Sequence, residues 1–258
     1  MLRFLLIALL ALAARPSNVW AVFVDWDTLI WTPGTLSNSY DVDPNSPGND
    51  ITITIGGDTQ DLVVDPASGL QTPARTYSLQ GGGPAGQLSL ELATTMIPPN
   101  LMTVTVTFSP QYLLGVQNVS FSLFDIDQEE KQDLITDISA RGVGGVVGYA
   151  ATITNIGSSV SHTGAGFGQR LRGIADSPDT GLSSGNGNAT ISFGSNAIQS
   201  FTFTFDSTPG GPKLQKLALG DISFTPVPEI NPAIAAGGLC LIAGVAASRR
   251  YARKKRQS

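Results

Sequence analysis

The sequence of this 258-residue chain predicts an all-β fold, a two-sheet antiparallel β-sandwich of jelly-roll-like form. Three observations carry that expectation. Between Val22 and Phe224 the apolar residues recur at every second position, with almost no stripe at helical spacing. Clusters of Gly, Pro, Asn and Ser divide the alternating runs. The stretches between runs leave no room for the crossover helices that a parallel sheet requires.

The runs can be taken in order. Ile51-Thr52-Ile53-Thr54-Ile55 alternates cleanly and follows the turn cluster Asp43-Pro44-Asn45-Ser46-Pro47-Gly48. Leu88-Ser89-Leu90-Glu91-Leu92 follows Gly81-Gly82-Gly83-Pro84, and Val104-Thr105-Val106-Thr107-Phe108 comes next. Val119-Ser120-Phe121-Ser122-Leu123, Ala189-Thr190-Ile191-Ser192-Phe193 and Phe201-Thr202-Phe203-Thr204-Phe205 repeat the pattern. In each, one face is apolar and the other carries Thr, Ser or Glu, as a half-buried strand requires. Weaker patterns predict strands near 61–65, 74–80, 134–140, 147–154 and 217–224. The Gly- and Ser-rich stretch from Gly157 to Asn188 reads as long loops. About 200 residues in one domain can bury a core without a metal or a disulfide.

Charge and cysteine usage exclude several functions. Val22 to Glu229 holds seven basic residues against all 20 acidic ones, a net of −13. Such a body repels polyphosphates, so no nucleic-acid partner is expected. One Cys and one His supply neither a disulfide framework nor a Cys/His zinc site.

The two ends read as addresses. Arg3, the apolar run Phe4 to Ala14 and then Val19-Trp20-Ala21 have the layout of a signal peptide over 1–21, with cleavage after Ala21. Eleven apolar residues are too few to span a bilayer, which needs ~20. The remaining chain divides into a sandwich domain over 22–224 and a tail over 225–258. In the tail, Val227-Pro228-Glu229-Ile230 precedes an uncharged apolar run, Ala233 to Ala247, read as one transmembrane helix. Behind it stand Arg249, Arg250, Arg253, Lys254, Lys255 and Arg256, which the positive-inside rule keeps cytoplasmic.

The order of short motif, small-residue apolar helix and Arg-rich end resembles the PEP-CTERM sorting signal of exopolysaccharide-producing Gram-negative bacteria. The resemblance covers about 30 residues, Thr225 to Arg256. Pro228 and Glu229 match the family's motif, while Ile230 stands where its second proline is expected. It implies an exosortase-type processing enzyme as partner, a membrane-anchored intermediate held by the C-terminal helix, and delivery to the cell surface or extracellular matrix. Phe121-Ser122-Leu123-Phe124-Asp125-Ile126-Asp127, with Ile135-Thr136-Asp137-Ile138 after it, resembles a pattern of sandwich domains that carry such tails. So does Leu219-Gly220-Asp221-Ile222-Ser223-Phe224-Thr225. These imply a fold and no activity.

Motifs of catalysis do not survive their context. Gly181-Leu182-Ser183-Ser184-Gly185 spells a nucleophile elbow, but no helix follows and His162 is the one imidazole available. His162 reads as an exposed loop residue. Gly81 to Gly86 spells Gly-x-Gly-x-x-Gly, yet Pro84 and the lack of a helix make it a turn. Asp125, Asp127, Glu129, Glu130 and Asp133 fall within nine residues at a strand end. They read as a solvated acidic loop or as ligands for Ca²⁺, which takes six to eight oxygens in flexible geometry. Asp25-Trp26-Asp27 and Asp41-Val42-Asp43 repeat the Asp-x-Asp spacing. Trp26, Trp31 and Tyr40 are either core aromatics or a sugar-stacking patch.

The function expected is that of an exported, non-enzymatic structural or adhesive protein of the envelope or exopolysaccharide matrix. A carbohydrate-binding module is the alternative, and a glycoside hydrolase a third reading, since a fold hosts many functions.

Overall fold

The computed structural model describes residues 20–79, 81–83, 86–95, 97, 101–129, 131–145, 148–176, 185–207 and 213–228. The signal-peptide run, Pro84, Glu130, Ser183, Glu229, Ile230, the apolar run 233–247 and the basic tail lie outside them. Fifteen strands follow in chain order: β1 Val22–Val24, β2 Ser37–Tyr40, β3 Ile51–Gly57, β4 Ala74–Thr76, β5 Ser89–Thr94, β6 Met102–Phe108, β7 Val116–Phe124, β8 Asp133–Gly142, β9 Gly148–Ala150, β10 Thr152–Thr154, β11 Val160–Thr163, β12 Arg170–Gly173, β13 Ala189–Gly194, β14 Ile198–Ser207 and β15 Gln215–Pro226. Trp20 to Val227 form one compact unit.

All strand pairs are antiparallel and belong to one curled network. It separates into two sets. One runs β2-β3-β6-β14-β8-β12-β11, with β9 also on β8; the other runs β10-β13-β7-β15-β5-β4, with β1 also on β15. Among the described residues, the pairing of Ile198 with Val116 alone bridges them. The inner faces meet through aromatic rings. Phe121 of β7 stacks on Phe201 of β14 at 4.5 Å, and Phe108 of β6 lies 5.0 Å from Phe224 of β15. Each such side chain contributes about 1.5–3 kcal/mol by leaving water.

The strong alternating runs became β3, β5, β6, β7, β13 and β14. In β3, β6, β7 and β13 Thr and Ser stand on the wetter face as the pattern predicts, whereas β5 is buried throughout. Three strands change parity midway, and each change marks a bulge. In β15 the buried set shifts from Leu217 and Leu219 to Ile222 and Phe224, with Gly220-Asp221 as the step. In β7 and β8 the steps fall at Asn118 and Asp137, both at positive φ.

Several expectations need correction. The stretch Gly157 to Asn188 is not all loop, because β11 and β12 lie within it as a hairpin added to the edge of β8. Residues 61–65 form only isolated bridges, Leu62 with Thr94 and Val64 with Gln71. β15 passes the expected domain end at Phe224 and runs to Pro226, where Val227 N still donates to Gly115 O. Among the described residues no helix is long and apolar enough to cross a membrane.

Candidate functional site

The bulge in β15 and the outward residues of β7 and β13 frame an open groove of about 540 Å³. Its floor is the outer face of the second strand set, with Ser122 and Phe124 of β7, Thr190 of β13 and Gly220 of β15. The Gly81-Gly82-Gly83 turn, Gln87, Leu88, Asn155, Gly185 and Asn188 line its sides. Phe124 lies against Gly220, where an added Cβ would come 2.8 Å from its Cζ. The polar groups are held by one another. Asn188 Nδ2 donates to Gly81 O at 2.6 Å, Asn155 Nδ2 to Thr190 Oγ1 at 3.3 Å, and Gln87 Nε2 to Asp221 Oδ2 at 3.1 Å. Asn188 Oδ1 has no hydrogen-bond partner. Amides, hydroxyls and one carboxylate beside one aromatic ring can meet the hydroxyls and the C–H face of a polar ring compound.

The acidic loop is more enclosed than the solvated reading allows. Asp125, Asp127 and Asp133 are buried, so the loop is not a freely solvated one. With Glu129 they line a cavity of about 100 Å³ that also receives Lys131, Gln215 and Lys216. Asp133 Oδ1 accepts from Gln215 Nε2 at 2.8 Å, and its Oδ2 accepts from Asp127 N at 3.2 Å. Burial pushes the Asp133 carboxyl well above the usual carboxylate range, with the charges of Asp127 and Asp125 adding to the effect. Two lysines, Lys131 and Lys216, bring positive charge to its lining. Among the described residues, Asp127 and Glu129 of the expected ligand set gather with Asp176, their ligand atoms within 4.8 Å of one another, an arrangement that could hold a divalent cation.

The aromatic patch at 26–40 is core. Trp26, Trp31 and Tyr40 are buried, and Trp26 meets the other two edge to face at 6.3 and 6.2 Å. Trp26 Nε1 donates to Gly220 O at 3.0 Å, tying this cluster under the β15 bulge. The Asp-x-Asp pairs build turns. Asp27 N donates to Asp25 Oδ1, Leu88 N to Asp27 Oδ1, and Asp43 N to Asp50 Oδ2. His162 stands in β11 rather than in a loop, half-buried, with Nε2 3.1 Å from Gln169 Oε1. Of the sorting motif, Val227 ends the folded body and Pro228 is exposed.

A second polar centre had no sequence signal. Glu91 sits on β5 in an alternating run that assigns it to solvent, yet it is fully enclosed, as is Asp65. Lys216 of β15 reaches both. The pairing of β5 with β15, and the segment 62–72 lying along β5, bring these residues together. The groove residues Gln87, Asn155 and Asn188 were equally invisible, being ordinary loop residues in the sequence.

No protein-family model matches the chain, and no curated protein matches it. Two solved structures are similar in outline. A carbohydrate-binding module studied for specific mannan recognition matches with a TM-score of 0.37 at 9% identity, over 82% of this chain and 100% of that one. A family 11 carbohydrate-binding module from Clostridium thermocellum, in complex with a β-1,3-1,4-mixed-linked tetrasaccharide, matches with a TM-score of 0.30 at 9% identity, over 81% and 96%. Both TM-scores lie below one-half, too low for either likeness to carry an argument.

Proposed function

We propose that this chain is an exported surface or matrix protein whose body binds glycan non-catalytically in the groove over β7, β13 and β15. The observation that supports this is the lining of that groove: Phe124 beside Gln87, Asn155, Asn188 and Asp221. Sugars offer vicinal hydroxyls to planar amides and carboxylates, and an apolar ring face to an aromatic side chain. An acidic body of −13 favours neutral polysaccharide over polyanions. The two layers, joined at one bridge, are read as jelly-roll-like.

The test is a glycan array on the purified protein, followed by calorimetric titration of whatever binds. Phe124→Ala and the exposed-side change Asn155→Gly, which suits the positive φ of that position, are expected to weaken binding by about tenfold or more, roughly 1.4 kcal/mol, with melting retained for Asn155→Gly. No retained glycan, or wild-type affinity in both variants, rejects the groove.

The C-terminal order of motif, apolar run and basic end supports sorting by an exosortase-type enzyme, with an inner-membrane intermediate before release to the surface. Glu229→Ala is then expected to remain at full length in the inner membrane fraction. The native protein is expected to lose about 3 kDa of tail, and equal mature masses on immunoblots reduce the tail to a plain anchor.

A further inference from the structure

The polar centre between β5 and β15 is built from the edge of the sheet inward. β5 is buried on both faces because the segment 62–72 runs along it. Leu62 bridges Thr94, Val63 N donates to Ala93 O at 3.0 Å, and Thr72 Oγ1 donates to the same oxygen at 2.9 Å. This carries the turn that starts at Asp65 against β5 and β15. Across the ladder Lys216 pairs with Ala93 and Ala218 with Glu91, so Lys216 and Glu91 project from the same sheet face one pair apart. Lys216 Nζ lies 2.5 Å from Asp65 Oδ1 and 3.7 Å from Glu91 Oε1. Both carboxylate side chains are fully enclosed, and that of the lysine is 16% exposed.

Two features exceed what an ion pair needs. One is Glu91, a second acid beside a single cation. Its Oε2 accepts hydrogen bonds from Thr76 Oγ1 at 2.6 Å and from Ser78 Oγ, while Oε1 has no hydrogen-bond partner among the described residues and lies on the ammonium side. Burial, with the charge of Asp65 added, pushes Glu91 above the usual carboxylate range against the bonds from Ser78 and Thr76. The other is the grip on Asp65. Ser68 N donates to Oδ2 at 2.6 Å, so a backbone donor stands where an oxyanion would grow, while Ala67 N donates to Oδ1 at 3.2 Å.

We propose that Lys216 and Asp65 are joined by an intramolecular isopeptide bond whose formation is catalysed by Glu91. Against its burial, Lys216 and the Ser68 and Ala67 donors hold Asp65 below the usual carboxylate range. Against burial too, Asp65 and Glu91 hold the Lys216 ammonium above its own usual range. The reactive form therefore arises only as one proton passes across the pair, which leaves a neutral amine and a neutral acid. The Nζ lone pair attacks Cγ, a C–N bond forms, and the carbonyl electrons move onto Oδ2, held by Ser68 N–H. Glu91 gives its proton to the Oδ1 hydroxyl and takes one from the new cationic nitrogen. The Cγ–Oδ1 bond breaks, and Oδ1 leaves as water. The sum is an ammonium and a carboxylate giving an amide and one water, with no change in oxidation state and Glu91 restored. Held contact of nucleophile and carbonyl replaces the activation that such an amide otherwise requires. The bond closes the chain from residue 65 to 216 and fastens β15, the last strand of the body, to the sheet edge.

Intact-mass spectrometry of the purified full chain tests this, each protein being compared with the mass of its own sequence from its observed N-terminus. The native protein is expected about 18 Da light, the loss of one water. Lys216→Arg keeps the charge and the fold but has no nucleophilic amine, and is expected at full mass. Glu91→Gln is expected at full mass as well, and fragmentation of the native digest is expected to link the peptides that hold Asp65 and Lys216. A native protein at full mass overturns the bond. A water loss that persists in Lys216→Arg overturns its assignment, and one that persists in Glu91→Gln overturns the role of Glu91.

Discussion

Replacing Phe201 with alanine is expected to cost the fold about 3–5 kcal/mol, among the largest losses a single side chain can cause here. Phe201 is 1% exposed and stands where the two strand sets meet. It stacks on Phe121 at 4.5 Å and lies 5.8 Å from Phe193 and 6.3 Å from Phe108. Alanine leaves a cavity lined by rings that β7, β13 and β6 hold in register, so collapse around it is limited. In urea the midpoint is expected to fall with an unchanged slope, and the melting temperature to drop by about 6–20 °C. A loss below about 1 kcal/mol would show that the two layers do not pack through this ring.

Gly173→Ala is expected to have the second-largest effect, about 3 kcal/mol, at the upper end of overpacking costs. Gly173 ends β12, where its O accepts from Gln132 Nε2 and its Cα faces the acidic loop. A Cβ there would overlap the backbone carbonyl and Cα of Asp127, and backbone cannot turn away as a flexible side chain can. The loop and the β11–β12 hairpin must part. Hydrogen exchange is expected to rise at Ile174, whose N donates to Ser159 O, and at Gln128, whose N donates to Ala175 O. Unchanged melting together with unchanged exchange would place the hairpin away from the loop.

The sequence announced its strands where one face is wet and one is dry. β3, β6 and β14 were legible because Thr alternates with Ile, Val or Phe over at least five residues. β1, β2, β11 and β12 were not, since strands of three or four residues carry too little alternation to stand out. Trp26, Trp31 and Tyr40 show the opposite difficulty. Residue type alone allowed either sugar stacking or core, and burial under the β15 bulge decided for core.

Local alternation, net charge and the order of motifs at the two ends therefore determined an all-β body with an acidic surface and the expectation of export. They are properties of neighbours in the chain, and one sequence contains them whole. The tertiary structure decided everything that depends on which strands meet. The alternation that made Glu91 a solvent-facing residue holds only while that face is uncovered, and the segment 62–72 covers it. Lys216 and Asp65 are distant in the chain and 2.5 Å apart in space, a contact set by the register of β15 on β5 and by the segment 62–72 that docks on β5. The groove likewise needs the one-residue bulge that turns Asp221 out of β15. Burial, desolvation and reach belong to the packed sheet, so the chemistry of these groups could be read only after the strands had found their partners.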